Sequence, residues 1–174
     1  MYTLVDKTDP VLKQPCQRFD FANPPVDPVE LVDALKKLMI EKRGVGLSAN
    51  QVGLPYQVFV IGDPTDPDNI EAVFNPKVVY SSDIEHVIEE GCLSFPGLFL
   101  KVKRPAAIRV RYADATGKID TKLYDQIPAR VFLHEFDHMQ GVVFTERVGK
   151  VTLQRGLQQK SKLDRIRKRN KANG

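Results

Sequence analysis

Between Asp27 and Gly44 the apolar positions keep a helical period. Leu31, Leu35, Leu38 and Met39 fall on one face, Asp27-Pro28-Val29-Glu30 opens the run with a capping-box-like start, and Gly44 follows it. The pattern predicts a helix. It then changes: Tyr56 to Gly62, Ala72 to Tyr80, His86 to Cys92 and Phe99 to Tyr112 are rich in Val, Ile, Phe and Tyr and are separated by Pro, Asp and Gly. Such runs read as mostly antiparallel strands. Ile108, Val110 and Tyr112 alternate with Arg109 and Arg111, and Ala113-Asp114-Ala115-Thr116-Gly117 supplies a hairpin turn. Apolar burial for a second helix comes from Val131, Phe132, Phe136 and Met139. Asp125 is placed to cap it, Pro128 sits in its first turn where a missing N–H is harmless, and Gly141 stops it. The expected fold class is α+β: mostly antiparallel strands packed around this central helix, with an N-terminal helix and a C-terminal basic helix or tail.

The central helix carries the most informative chemistry. His134-Glu135-Phe136-Asp137-His138 sets two imidazoles four residues apart, hence on one helical face, with a carboxylate beside the first. Such a pair can hold one metal while Glu135 reaches a water at that metal, so metal-assisted hydrolysis is the leading chemistry. Two core histidines beside a solvated acidic pair would give the same letters. Beyond His138 no third ligand stands out: Phe144 occupies the position where a third histidine would follow Gly141, and the only carboxylates are Glu146 and Asp164. Upstream, the strongest candidate is Cys92 in Glu90-Gly91-Cys92-Leu93-Ser94-Phe95-Pro96. A thiolate suits Zn, Fe, Co or Ni, and the flanking Gly91 and Pro96 point to a strand leaving a sheet into a turn. By itself Cys92 reads more readily as a small buried hydrophobe. Gly44-Val45-Gly46-Leu47-Ser48-Ala49-Asn50-Gln51 adds glycines that permit close backbone approach and, in Gln51, an amide donor. Gly44 fits equally as a plain helix C-cap.

Together the three segments resemble the signature motifs of peptide deformylases: a glycine-rich segment ending in Gln, then Glu-Gly-Cys-Leu-Ser, then His-Glu-x-x-Asp-His, in that order. The resemblance runs from the Asp9-Pro10-Val11-Leu12 region to Val148. It implies that Cys92, His134 and His138 bind one divalent metal and leave a fourth position open for water or substrate. It implies that Glu135 is the general base that takes a proton as water attacks the formyl carbon, then the acid that delivers it to the departing amine. Gln51, through its side-chain amide, and Leu93, through its backbone N–H, match the positions that hold the developing oxyanion. Gly46 and its neighbours match the segment that pairs with the substrate backbone. Val45, Ile88, Gly91, Ile127, Arg130 and Val131 fall where the methionine pocket is expected. Ordinary core packing would also account for the aliphatic residues, and a solvated helix face for Arg130. The resemblance favours ferrous iron as the metal, with Zn, Ni or Co able to occupy the site. Two departures bear on pocket shape: Leu133 stands where many relatives carry Gln, and Ser48 where Ala is common.

Composition fits one catalytic domain over residues 1–150, followed by a basic helix or tail over residues 151–174. The chain has 174 residues, 42% of them hydrophobic, with no Trp and no internal repeat, enough to bury a core. From Arg155 onward eight Lys or Arg face one acid, Asp164, a net +7 that leaves −3 for the rest. Leu153, Leu157, Leu163 and Ile166 make an imperfect helical stripe, so the segment is expected to dock loosely or extend into solvent. Bacterial relatives use a C-terminal helix to contact the ribosome near the nascent-chain exit. A basic tail suits RNA phosphates, though no motif is shared. Two cysteines permit at most one disulfide, and Cys92 as a ligand leaves Cys16 unpaired, which suits a reducing compartment. Asp6, Lys7 and Asp9 interrupt any apolar run at the N-terminus, which argues against a secretory signal or membrane span. A cytoplasmic enzyme of a bacterial or virus-infected bacterial cell is expected, and a mature organelle protein would look the same.

The expected partners are N-formylmethionyl nascent peptides, with the ribosome reached through the tail. Two other function classes share part of the pattern. An HExxH metallopeptidase would need only the central helix, and a non-enzymatic RNA-binding module only the tail. Release of formate without internal cleavage selects the deformylase reading.

Overall fold

The computed structural model describes residues 2–172. Helix α1 spans Pro28–Glu41 and starts as its sequence predicts, with the Asp27 carboxylate accepting the Val29 and Glu30 N–H groups. Its Leu31, Leu35, Leu38 and Met39 are buried. Five antiparallel strands form the main sheet: β1 (Gly46–Ser48), β2 (Val58–Ile61), β3 (Glu71–Ser81), β6 (Ala107–Ala113) and β7 (Ile119–Asp125), in the spatial order β1-β2-β3-β6-β7. The other two, β4 (Glu85–Gly91) and β5 (Phe99–Pro105), pair only with each other. Helix α2 spans Gln126–Met139 and α3 spans Lys150–Ala172.

The main sheet lies between α1 and α2, and β2 shows why its sequence has no polar positions. Val58 and Val60 join the cluster that contains Leu31, Leu35 and Phe74, whereas Phe59 and Ile61 join the one that contains Phe132 and Met139. Successive side chains point to opposite faces, and here both faces are covered. Phe59 meets Phe132 edge to face, with ring centroids 5.1 Å apart.

Two expectations need correction, and two strands were not anticipated. The run from Phe99 to Tyr112 is two strands in two sheets. Pro105 cannot donate to a ladder, and at Ala106 the chain passes from β5 to β6, its N–H bonded to the Ile84 carbonyl and its own carbonyl accepting the Gln126 N–H. Apolar alternation continues across this junction, so periodicity alone does not mark it. Asp125 occupies the N-cap position of α2, but its side chain makes no capping bond, and the helix is instead entered through Gln126 at φ 51°. Strands β1 and β7 carry too little pattern to be anticipated: β1 has three residues, all buried, and β7 buries only Tyr124.

Helix α3 is docked at its start and free beyond. Leu153 packs on the cluster of Leu98, Leu100, Val102 and Phe144. A Cβ at Gly156 would overlap the Leu100 side chain, so the helix approaches β5 as closely as a glycine allows. Leu157, Leu163 and Ile166 remain 49%, 42% and 47% exposed, so of the stripe only Leu153 helps to hold the helix. Among the described residues, no helix is long and apolar enough to cross a membrane.

Gly156→Leu should therefore lift α3 from β5 and destabilise the protein by about 1–3 kcal/mol, as overpacking does. Urea unfolding measures this. A truncation after Ser161, which keeps the docked turns, should cost much less, and equal losses would mean that Gly156 is not the docking point.

Candidate active site

Helix α2 is unusual in burying charge along its inner face: Arg130, His134, Glu135, Asp137 and His138 are all buried. Buried ionic groups need partners, and β4 and β5 supply them. Along β5 the inward positions are Leu100, Val102 and Arg104. The Arg104 guanidinium donates to both oxygens of Glu90, at 2.6 and 2.9 Å, and to Asp137 Oδ2 at 2.9 Å. Arg130 donates to Glu90 Oε1 at 2.6 Å and to the carbonyls of Val102 and His86 at 2.9 and 2.7 Å. Arg147 completes the set by donating to Asp137 from Nε at 2.9 Å. Burial alone would raise the Glu90 pKa, but the His134 and Arg104 hydrogen bonds outweigh it and bring it down to about 2.

Glu90 Oε2 lies 3.1 Å from His134 Nδ1. That bond uses one ring nitrogen and aims the other, Nε2, away from the network. Cys92 leaves the end of β4 just after Gly91, and its Sγ lies 3.4 Å from His138 Nε2. One ligand atom from each of Cys92, His134 and His138 falls within 4.8 Å of the others. Donors bound at about 2.1–2.3 Å around a single tetrahedral ion stand roughly 3.6 Å apart. Electrostatics agree with a cation at this point. Burial disfavours charge on His134, yet Cys92 and Glu90 prevail and push its pKa up to about 10. Burial holds His138 well below its ordinary value, so its imidazole is neutral with a lone pair to offer.

Glu135 sits beside these donors, and its Oε2 has no hydrogen-bond partner among the described residues. Burial raises its pKa to about 7, against the pull of the His134 charge. Strand β1 passes so close that a Cβ at Gly46 would overlap this carboxylate. The Gln51 amide, in a 3-10 turn over Ala49–Val52, donates to Ser94 Oγ at 3.0 Å and points its Nε2 at Cys92 Sγ, 3.5 Å away. The Leu93 N–H has no backbone acceptor among the described residues.

Gln51, Cys92, Leu93, His134 and Glu135 line a cavity of about 650 Å³, and His138 is not in its lining. Val45, Gly46, Gly91, Ile127, Arg130 and Val131 line it as well. Val45 and Ile127 are about half exposed, which leaves apolar surface for a ligand to cover. Ile88 is not in that lining; it pairs with Val102 in mid-hairpin. Arg130 is a buried tie between α2, β4 and β5, not a solvated charge. Leu133 packs in the core cluster around Phe132, and His86 belongs to β4, outside the donor group. Cys16 is buried elsewhere in that core, and burial pushes its thiol pKa up to about 11.

Sequence reasoning missed the supporting network of Arg104, Asp137 and Arg147. The signal available for Arg104 was an arginine on the inward face of a strand that otherwise alternates cleanly. Asp137 and Arg147 come together only through the fold.

The family profile described as polypeptide deformylase matches residues 1–154. Peptide deformylase 1B, chloroplastic/mitochondrial, of Arabidopsis thaliana is 38% identical over 148 residues, covering 83% of this chain and 53% of that protein, so the chain spans about half the plant relative's length. The peptide deformylase of Synechocystis sp. is 37% identical over 142 residues, 80% of this chain and 75% of the relative. Among solved structures, a peptide deformylase from Synechococcus elongatus in complex with actinonin has a TM-score of 0.83 at 32% identity and covers 92% of this chain and 86% of its own. That of Thermotoga maritima has a TM-score of 0.79 at 32% identity, covering 86% and 98%. Sequence and fold agree over the part of the chain that carries the buried donors, and the chain belongs to the polypeptide deformylase family, whose members are metal-dependent hydrolases.

Proposed function

We propose that this chain removes the formyl group from the N-formylmethionine of newly made polypeptides, releasing formate. The observation that carries the reading is that a thiol, an imidazole, a buried carboxylate and an amide N–H₂ line one cavity, with a second imidazole nitrogen within 4.8 Å of the thiol and of the first. Cys92, His134 and His138 would hold a divalent metal, which supplies Lewis acidity toward the formyl oxygen and makes water a better nucleophile. The donor set suits Fe(II), Zn, Ni and Co alike, and the family resemblance favours iron.

Glu135 takes the proton of the attacking water and returns it to the departing amine. Burial, which raises its pKa above the usual carboxylate value, suits a group that must both take and return a proton. Gln51 Nε2 and the Leu93 N–H donate to the oxyanion as charge develops. Glu90 keeps the His134 ring oriented through Nδ1. Strand β1 is an edge of the main sheet and β4 an edge of the hairpin, so Gly46 and Gly91 offer backbone to an extended peptide. The methionine side chain is received by Val45, Ile127, Val131 and the stem of Arg130, with burial of a full side chain contributing about 1.5–3 kcal/mol. Ile88 stands outside that contact.

The exposed part of α3 is proposed to contact ribosomal RNA, which would bring the enzyme to nascent chains in the cytoplasm of a bacterial cell. Its support is a net +7 from Arg155 onward on a helix free of the core after its first turns.

Incubation with short formyl-Met peptides should release formate, and a chelator should abolish the release until divalent metal is restored. Cleavage at internal bonds would favour the peptidase reading instead. Glu135→Gln should retain metal and lose about 10²–10⁴-fold in kcat. Gly46→Ala should displace the same carboxylate and fall between the two in kcat, again with metal content unchanged. A metal-loaded Glu135→Gln enzyme that turns over like the parent would remove Glu135 from its role. Truncation after Ser161 should leave peptide activity near the parent while ribosome co-sedimentation weakens, and the parent's binding should fall steeply with salt. No binding by the full chain at low salt would end the ribosome proposal.

A further inference from the structure

Ser48 joins the glycine-rich segment to the amide that faces the metal donors, and it is wholly buried. Its N–H donates to Gln51 Oε1 at 3.0 Å, and its hydroxyl lies 2.9 Å from the same oxygen and 2.8 Å from Asn50 Oδ1. Asn50 is also wholly buried, and its Nδ2 donates to the His138 carbonyl at 2.8 Å. The single hydroxyl proton is shared between these two acceptor oxygens, and this links the amide of Gln51 to the last turn of the helix that bears both histidines.

A primary amide can take either of two flips, and what each end meets decides between them. Oε1 faces the Ser48 N–H and hydroxyl, so the N–H₂ end is turned to Ser94 Oγ and Cys92 Sγ. Reversing it would set that N–H₂ against the Ser48 N–H, donor to donor, in a buried place. With alanine at position 48 the backbone N–H bond would survive, but Asn50 Oδ1 would lose its hydroxyl neighbour and the Gln51 carbonyl oxygen would keep one contact instead of two.

We infer that Ser48 is a positioning residue for deformylation, its hydroxyl braced through Asn50 against the His138 carbonyl and holding the Gln51 amide with its N–H₂ toward the reacting formyl oxygen. The inference rests on the reading of Gln51 as an oxyanion donor. Ser48 is absent from the cavity lining, and its hydroxyl also neighbours the Glu135 carboxylate, so the test must separate an action through Gln51 from one through Glu135.

A double-mutant cycle on the metal-loaded enzyme with a short formyl-Met peptide tests it. Ser48→Ala should lower kcat about two- to ten-fold, the worth of one hydrogen bond, with KM little changed and metal content intact. Ser48→Thr, which keeps the hydroxyl, should recover most of the loss. In a Gln51→Leu background Ser48→Ala should cause no further loss. Side-chain amide NMR gives a second readout: the Gln51 N–H₂ pair should exchange with water faster in Ser48→Ala than in the parent. Parental kcat in Ser48→Ala, beside a slowed Gln51→Leu enzyme, overturns this proposal alone. So does an equal loss in the Gln51→Leu background. Parental kcat in Gln51→Leu overturns the oxyanion reading and this proposal with it.

Discussion

The carboxylate of Glu90 is the interaction on which the rest of the site depends. It is buried between the guanidinium groups of Arg104 and Arg130 and still reaches His134 Nδ1. Removing either arginine would leave a buried negative charge short of partners, a loss of about 3–5 kcal/mol for a broken buried pair. Removing Glu90 would leave two guanidinium groups without it and an imidazole free to turn. Three elements meet at this one group: β4 through Glu90, β5 through Arg104 and α2 through Arg130 and His134. The geometry of the donors is therefore set by ion pairs, and the apolar clusters on either side keep water from competing with them.

Glycine has the complementary role. Gly46 lets β1 approach the Glu135 carboxylate, and a Cβ at Gly44 would come within 2.7 Å of the Leu93 side chain. The pattern of glycines in the first motif thus records clearances toward the second and third motifs. Gly156 does the same for α3, which packs behind Leu98 and Phe99 of the cavity wall.

Much of this was legible in the residues. Helix α1 declared itself by Asp27 and by Leu31, Leu35, Leu38 and Met39 at helical spacing, and the spacing of His134 and His138 made their shared face certain once the helix was granted. The strand break at Pro105 was not legible, because Val102, Ile108 and Val110 keep alternating through it while their partners change. Strand β7 was hidden for the opposite reason: on an edge with one buried residue, Ile119 and Leu123 carry no inward signal. Leu157 and Leu163 of α3 drew attention to themselves and stay in solvent, while the docking contacts are made by Leu153 and by a glycine, which no hydrophobic pattern can reveal. Arg130 looked solvated because a helix surface charge is the usual case. Only the carbonyls of His86 and Val102, brought beside it by the hairpin, make its burial tolerable.

The crossing at Ala106 has a mechanical consequence. The Ser82 N–H is bonded to the Ala107 carbonyl and the Ala106 N–H to the Ile84 carbonyl, so both strands of the β4–β5 hairpin leave the main sheet at one line. From that line to the Gly91 and Phe99 end is seven residues of β5, a lever of about 23 Å at about 3.3 Å per residue. One degree of tilt at its base would move Cys92 by about 0.4 Å, close to the tolerance of about 0.5 Å that a working site permits. Arg104, one residue from the base, grips α2 through Asp137 and the Leu133 carbonyl where the hairpin begins to swing. The aperture of the cavity is in effect an angle, read out at the far end of a stiff arm and fixed near its fulcrum.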